Sequence, residues 1–287
     1  MSAIMNRYDF VFLYDVKDGN PNGDPDQANL PRSDAENQEG LVTDVCIKRK
    51  VRNYVMLKRN KAATDSPYDP ETGFDIFIRQ GNILNNIIDT VKGENPSERQ
   101  RTLSGQYYDI RTFGAVLATG EKGAGTVRGP VQFTFSRSED RIFQAEHSIT
   151  RCAVTTKEEA KAQEKRENAS TFGRKATVPY ALYCMHGFVS AVDARKTGFS
   201  EEDLELLWES LLNAFEHDRS AARGEMNPRK LIVFKHDSHL GNARSGQLFD
   251  LVKITKNADL PRDWKDYTVE PINKESLPRG VTLIEKL

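Results

Sequence analysis

The order of hydrophobic and polar residues along the chain predicts several buried strands. Arg7 to Val16 is rich in aromatic and β-branched residues and predicts a strand inside the core. The segment from Lys17 to Gly40 is dense in Gly, Pro, Asn and Asp and predicts an irregular loop. Further strands are predicted at 131–135, 178–192 and 231–235.

Two amphipathic helices are predicted between these strands. The first begins at Thr43 or Asp44, and its apolar positions fall on one face: Ile47, Val51, Tyr54 and Val55. The second begins at Ser200, and its apolar face is formed by Leu204, Leu207, Trp208, Leu211, Leu212 and Phe215. The order strand, helix, strand, strand, helix, strand is that of a ferredoxin-like α+β fold.

Polar stretches interrupt this order and predict insertions. Residues 61–108 are irregular with some helical pattern, and residues 155–168 are highly charged without an apolar face. A length of 287 residues fits one large domain with such insertions, and 38% hydrophobic residues suffice for its core. No apolar run is long enough to span a membrane, and we expect a cytoplasmic protein. The widely spaced Cys46, Cys152 and Cys184 indicate thiols in a reducing compartment.

Charge is distributed unevenly, although the net charge is only −1. Residues 45–64 contain no acid and seven bases: Lys48, Arg49, Lys50, Arg52, Lys58, Arg59 and Lys61. This basic helix predicts contact with nucleic-acid phosphates, and an ordinary solvated helix face is the alternative. Residues 201–218 carry seven acids and no Lys or Arg. We hypothesise that the two oppositely charged helices join neighbouring copies of the chain.

Signals for catalysis or metal binding are weak. Asp24 and Asp26 offer carboxylates to a divalent cation, but the calcium-loop spacing is incomplete and a surface turn is the alternative. His236 and His239 have no further ligand at metal-site spacing, and no GxSxG or HExxH motif is present. The glycine-rich segment 120–129 lacks the Walker lysine and predicts a flexible connection. Its candidate contacts to a phosphate backbone are Lys122 and Arg128.

Three segments resemble one known family. Residues 20–25 (NPNGDP), followed by Thr43-Asp44 and the basic stretch through Arg52, resemble the N-terminal signature of the backbone subunit of type I CRISPR Cascade complexes. This subunit belongs to the repeat-associated mysterious protein superfamily, and subtype I-C is the nearest match. Residues 109–114 (DIRTFG) and 145–150 (AEHSIT) resemble two later stretches of the same family.

The resemblance implies a ferredoxin-like, RNA-recognition-like palm with fingers at about residues 61–108 and a thumb at about residues 150–178. It implies a non-catalytic scaffold without cofactor or metal. Copies of the chain would polymerise along a CRISPR guide RNA, kink it at regular intervals and present it for pairing with target DNA, together with other Cascade subunits. The implied guide contacts are Asn20, Asn22, Lys48, Arg49, Phe113, Gly114 and Phe172, and helical geometry adds Arg52.

Two alternatives remain open from the sequence. A metal-dependent RNA endonuclease of the same superfamily would use Asp24, Asp26 or Asp34. A general single-strand-binding protein would bind without ordered self-assembly.

Overall fold

A computed structural model describes residues 2–62, 68–151, 153–164 and 171–287, without the side chains of residues 151, 159, 162–164, 171 and 172. Its strands are β1 (Tyr8–Gly19), β2 (Gly23–Asp24), β3 (Leu30–Pro31), β4 (Glu39–Val42), β5 (Gly114–Leu117), β6 (Gly125–Arg128), β7 (Val131–Phe133), β8 (Ser136–Arg141), β9 (Ala145–Arg151), β10 (Thr171–Val189), β11 (Glu225–His236), β12 (Ile254–Lys256), β13 (Tyr267–Val269) and β14 (Val281–Glu285). Its helices are α1 (Asp44–Lys58), α2 (Leu84–Thr90), α3 (Pro96–Gln106), α4 (Tyr108–Phe113), α5 (Lys157–Glu164), α6 (Ala191–Thr197), α7 (Glu201–Leu212) and α8 (Ser245–Phe249). Within these ranges, no helix is both long and apolar enough to cross a membrane.

A large antiparallel sheet organises this mixed α/β fold. Its strands lie in the order β14-β11-β1-β10-β8-β4, and β7 and β9 also pair with β10. β1 lies in the middle, paired with β10 on one side and β11 on the other. The strands predicted at residues 7–16, 178–192 and 231–235 are therefore neighbours, although β10 and β11 both begin earlier than predicted.

Successive side chains of β1 enter two different cores, because side chains alternate between the faces of a sheet. Phe10 and Phe12 join a large core that includes α1 and α7. Val11 and Leu13 join a second core under the C-terminal segment. Burial on both faces explains why the β1 sequence shows no alternation of apolar and polar residues. It also means that the C-terminal segment covers this second face, where an open sheet would offer a platform for stacked bases.

A separately packed unit lies between α1 and β7. α2, α3, α4 and the β5–β6 hairpin share a third core formed by Phe77, Ile88, Val91, Leu103, Ile110, Leu117, Ala124 and Val127. The predicted insertion at residues 61–108 contains α2 and α3, while the shared core continues to Val127. The glycine-rich segment 120–129 is a structured turn and strand of this hairpin rather than a flexible connection.

A two-stranded ribbon flanks the highly charged stretch at residues 155–168. β9 pairs with the first part of β10, from Ala145 opposite Thr177 to Arg151 opposite Thr171. α5 lies in the connection between them. The predicted thumb at residues 150–178 thus falls on the distal part of this ribbon and on the whole of α5.

The acidic helix α7 packs against the basic helix α1 within the same chain. Ser200 begins α7 with a capping box, in which its Oγ accepts from the backbone N–H of Asp203. Arg59 reaches Glu202 at 2.6 Å, and the Tyr54 hydroxyl donates to Glu209 at 2.7 Å. The charge complementarity that we hypothesised to join neighbouring copies is therefore largely used inside one copy.

Candidate nucleic-acid interface

The loop after β1 is fixed to the start of α1. Thr43 precedes the helix, but its hydroxyl does not cap it. Instead, the Asn22 side-chain oxygen accepts from the backbone N–H and the hydroxyl of Thr43, both at 3.0 Å. Asn20 is 4% exposed, and its amide donates to the carbonyl of Asn29 at 2.7 Å. Asn22 therefore holds the loop against the start of α1, whereas Asn20 joins two parts of the loop itself.

Most of the bases on α1 are neutralised by nearby carboxylates. Arg52 donates from Nε to Asp109 at 2.8 Å, and the Asp109 carboxylate is only 1% exposed. The same carboxylate accepts from the backbone N–H groups of Phe77 and Ile78. Among the described residues, ion pairs bind five of the seven bases of residues 45–64: Lys48 to Asp44, Lys50 to Asp218, Arg52 to Asp109, Lys58 to Glu209, and Arg59 to both Glu71 and Glu202.

Arg49 differs from these residues. It is exposed on α1, and it makes no ion pair within the described part of the chain. An exposed guanidinium without a carboxylate partner keeps its full charge and its donors available for a phosphate. Among the predicted guide contacts on α1, Arg49 is thus the one that presents its charge to solvent.

Phe113 ends α4 and Gly114 begins β5, so these two residues lie where α1 contacts the β5–β6 hairpin. The Phe113 ring is 7% exposed, and the Lys48 ammonium and the Arg52 guanidinium lie 5.5 Å and 5.3 Å from its centre. Gly114 has φ +83°, and a Cβ there would lie 2.3 Å from the carbonyl oxygen of Val127. Only glycine fits this close approach.

The remaining predicted guide contact, Phe172, lies on β10 opposite Thr150 in the ribbon. Its side chain is outside the described residues. The structure therefore brings Asn22, Lys48, Arg49, Arg52, Phe113 and Gly114 together around α1, with Asn20 in the adjoining loop and Phe172 in the ribbon.

The aspartates of the endonuclease alternative have structural partners. Asp24 caps a 3-10 turn by accepting from the N–H of Asp26, and it lies 3.3 Å from Arg32. The backbone N–H of Glu36, together with Arg137, lowers the pKa of Asp34. Among the described residues, no group of three or more His, Cys, Asp and Glu side chains is placed to hold a metal ion.

Of the histidine and cysteine candidates, His236 has a structural role, whereas His239 is exposed. His236 lies fully buried between the carboxylate of Asp9 and the backbone N–H of Asn242, at 2.8 Å from each. Burial raises the pKa of the Cys184 thiol to about 12, which opposes its use as a thiolate. Cys46 is a free thiol near the carbonyl of Pro21, whereas Cys152 lies outside the described residues.

The carboxylate partners of α1 are the residues that the sequence did not reveal. Asp109 lies far from Arg52 in the chain, within the stretch of residues 109–114 that carries part of the family resemblance. The seven acids of residues 201–218 were a signal in the sequence, since three of the partners of the basic segment are Glu202, Glu209 and Asp218.

Comparisons with known proteins extend over nearly the whole chain. The family model described as "CRISPR-associated protein Cas7" matches residues 6–271. A "CRISPR-associated protein Cas7" of Haloferax volcanii (strain DS2) is 23% identical over 316 residues, covering 99% of this chain and 86% of that protein. A chain of a "CRISPR RNA-guided surveillance complex, pre-nicking" is 16% identical with a TM-score of 0.48, covering 79% of this chain and 78% of the other. A chain of a second "CRISPR RNA-guided surveillance complex" is 15% identical with a TM-score of 0.41, covering 78% and 68%.

Proposed function

Because the chain belongs to the CRISPR-associated protein Cas7 family, we propose that it is a non-catalytic scaffold that polymerises along a CRISPR guide RNA in the cytoplasm. It kinks the guide at regular intervals and presents it for pairing with target DNA, within a Cascade complex of subtype I-C. The match of the family to residues 6–271 carries this proposal, since it runs from the strand before α1 into the C-terminal segment.

The palm of this scaffold is the large sheet with α1 and α7. A ferredoxin-like assignment is supported by the four strands β11-β1-β10-β8, which lie in the order fourth, first, third, second of a βαββαβ unit. α1 follows the first of these strands, and α7 lies between the third and the fourth. The insertion with its own core supplies the fingers, and the β9–β10 ribbon with α5 supplies the thumb.

The guide path follows the exposed side of α1 and the loop before it. Arg49 contacts a guide phosphate directly. Asn20, Asn22, Lys48, Arg52, Phe113 and Gly114 hold the path in shape, and Phe172 is the candidate wedge of the thumb. Arg49 supports this division because its charge is exposed and unpaired in the described chain, whereas Lys48 and Arg52 are bound to carboxylates.

Nuclease footprinting of the purified protein on a long single-stranded RNA tests the proposal, with magnesium and with chelator side by side. We expect a regular ladder of protection on uncut RNA in both conditions. Periodic cuts that appear only with magnesium would contradict the scaffold and favour the endonuclease. Irregular protection would contradict ordered assembly and favour a general single-strand-binding protein.

A matched pair of variants sharpens this experiment. Arg49→Gln removes the exposed charge of α1, and Lys61→Gln removes an exposed charge just beyond the end of the helix. We expect Arg49→Gln to weaken RNA binding and to reduce its salt slope by about 0.7, the value for one phosphate contact on a single strand. Equal slopes for Arg49→Gln and the wild type would remove Arg49 from the guide path.

A further inference from the structure

A basic groove lies between the inserted unit and the end of α6, on a surface not included in the predicted guide path. We name it the α3–α6 groove. It encloses about 480 Å³ and is lined by Ser97, Gln100, Arg101 and Ser104 of α3, residues 126–128 of β6, and Lys196 and Thr197 of α6. The four α3 residues recur at the spacing of one helix face.

The charge of this groove is almost uncompensated. In the part of the chain that the structure describes, no lining residue is acidic. Arg101 is exposed and makes no ion pair among the described residues. Arg128 and Lys196 are 80% and 68% exposed and share a single carboxylate, Asp193, at 3.5 Å and 3.1 Å.

A second cavity of about 430 Å³ continues the groove along α6 and adds Arg195, which is exposed. The carboxylates that line this cavity are already bound. Glu202 pairs with Arg59, and Asp203 pairs with the buried Arg111 at 2.7 Å. The positive potential therefore extends across both cavities.

Interaction of cations with the C-terminus of α6 accounts for only some of the basic residues around the groove. Cations in the last turn of a helix stabilise its dipole, which explains Arg195 and Lys196. It does not explain Arg101 or Arg128, which reach the groove from α3 and β6. Three separate elements thus place cations around one space, beside the exposed residues Ser97 and Thr126, which carry hydroxyl groups.

We propose that the α3–α6 groove binds the sugar-phosphate backbone of a single-stranded nucleic acid. Cations neutralise phosphates while hydroxyl groups donate hydrogen bonds to their oxygens, and this combination fits a phosphodiester strand. The described lining contains no aromatic side chain for stacking, so the groove binds the backbone without selecting bases.

The choice of a nucleic-acid strand over another polyanion rests on the proposed function. Arg128 of the groove pairs in register with Gly114, next to the Phe113 ring that underlies Lys48 and Arg52. The groove therefore begins beside the predicted guide path. It takes either a continuation of the guide or a DNA strand, and the two sources share the same backbone chemistry.

Binding of labelled oligouridylate and oligodeoxythymidylate of equal length tests this proposal by fluorescence anisotropy across a salt series. The groove variant is Arg101→Gln with Arg128→Gln and Lys196→Gln. The control variant removes the same charge from the C-terminal segment through Lys253→Gln, Lys274→Gln and Arg279→Gln, which are exposed and unpaired in the described chain. Thermal unfolding checks that both variants stay folded.

We expect the groove variant to lower the salt slope by about 2, which corresponds to a loss of affinity of about a hundredfold near 0.1 M salt. The control should bind like the wild type, and Arg101→Gln alone should lower the slope by about 0.7. A loss for RNA alone assigns the groove to the guide, a loss for DNA alone assigns it to a DNA strand, and a loss for both supports one shared path.

If the groove variant binds RNA and DNA as tightly as the wild type and the control variant do, the proposed binding site in the groove is wrong. The proposed scaffold function is unaffected by that result. If the wild type binds DNA but not RNA, the proposed guide-RNA scaffold is wrong. The comparison of the groove variant with the wild type on DNA would still test the proposed groove site. Absence of wild-type binding to either strand would overturn both.

Discussion

Two basic regions of this protein use their charge in opposite ways. In residues 45–64, which include α1, seven bases lie close together in the sequence, and five of them pair with carboxylates in the described part of the chain. In the α3–α6 groove, Arg101, Arg128 and Lys196 are far apart in the sequence, and one carboxylate serves two of them. Density of charge along the chain is therefore a poor measure of the charge presented to a partner.

Burial explains the difference. α1 packs against the core and against α7, so its longer side chains run through partly buried space where an unpaired charge would be costly. Lys50 is 2% exposed, and Arg52 has 12% of its side chain exposed. The groove is open to water, which solvates its cations and removes the need for partners. Pairing on α1 thus maintains the fold, while the open cations are free for binding.

The largest effect expected from this contrast is a loss of stability in Arg52→Ala. Removing one partner of a largely buried pair leaves the Asp109 carboxylate without its cation, at a cost of about 3 kcal/mol. Urea unfolding monitored by circular dichroism measures this cost.

Arg49→Ala is the matched control, since it removes the same side chain from an exposed position of the same helix. We expect its unfolding free energy to stay within about 0.5 kcal/mol of the wild type. Equal losses in the two variants would break the distinction between paired and open cations on α1.

A smaller loss of stability is expected at Gly114, which lies between α1 and the α3–α6 groove. Gly114→Ala forces a side chain into a left-handed conformation and against the Val127 carbonyl, at a cost of about 1–3 kcal/mol. Gly105→Ala is the control, because a Cβ at this exposed position of α3 meets no atom within 4 Å. We expect Gly105→Ala to be neutral or stabilising in thermal unfolding. If Gly114→Ala unfolds at the same temperature as the wild type, position 114 does not require glycine.

The sequence predicted elements well wherever periodicity was strong. The apolar face of α1 is confirmed, with Ile47, Val51 and Val55 fully buried. The start of α7 at Ser200 is confirmed by its capping box. Local patterns suffice for these features because they depend on residues within a few turns of one another.

Tertiary pairing could not be predicted in the same way. The bases of residues 45–64 predict phosphate contacts because nothing in that segment shows that Asp109 and Glu209 approach from elsewhere in the chain. The groove cannot be predicted from the sequence for the same reason. Its one predicted member is Arg128, a candidate contact to a phosphate backbone in the glycine-rich segment. Both outcomes depend on contacts between residues distant in the chain, which periodicity does not encode.

The smallest effect concerns the exposed end of the α1–α7 contact and depends on pH. Hydrogen bonds from Lys58 and from the Tyr54 hydroxyl lower the pKa of Glu209 below its usual value of 4.5. A carboxyl with a lowered pKa in the folded state stabilises the protein above about pH 4.5, and this contribution is lost as the pH falls through the folded-state pKa. Because both Lys58 and Glu209 are substantially exposed, we expect this pair to contribute only about 0.5 kcal/mol to the free energy of unfolding in urea near neutral pH.

Glu209→Gln should lack this contribution, so the difference in unfolding free energy between this variant and the wild type should shrink on acidification. Glu216→Gln removes an acid beyond the end of α7 and should retain the contribution. A constant difference between Glu209→Gln and the wild type across this pH range would show that the contact depends on packing, and would confine the structural role of charge on α1 to its buried pairs.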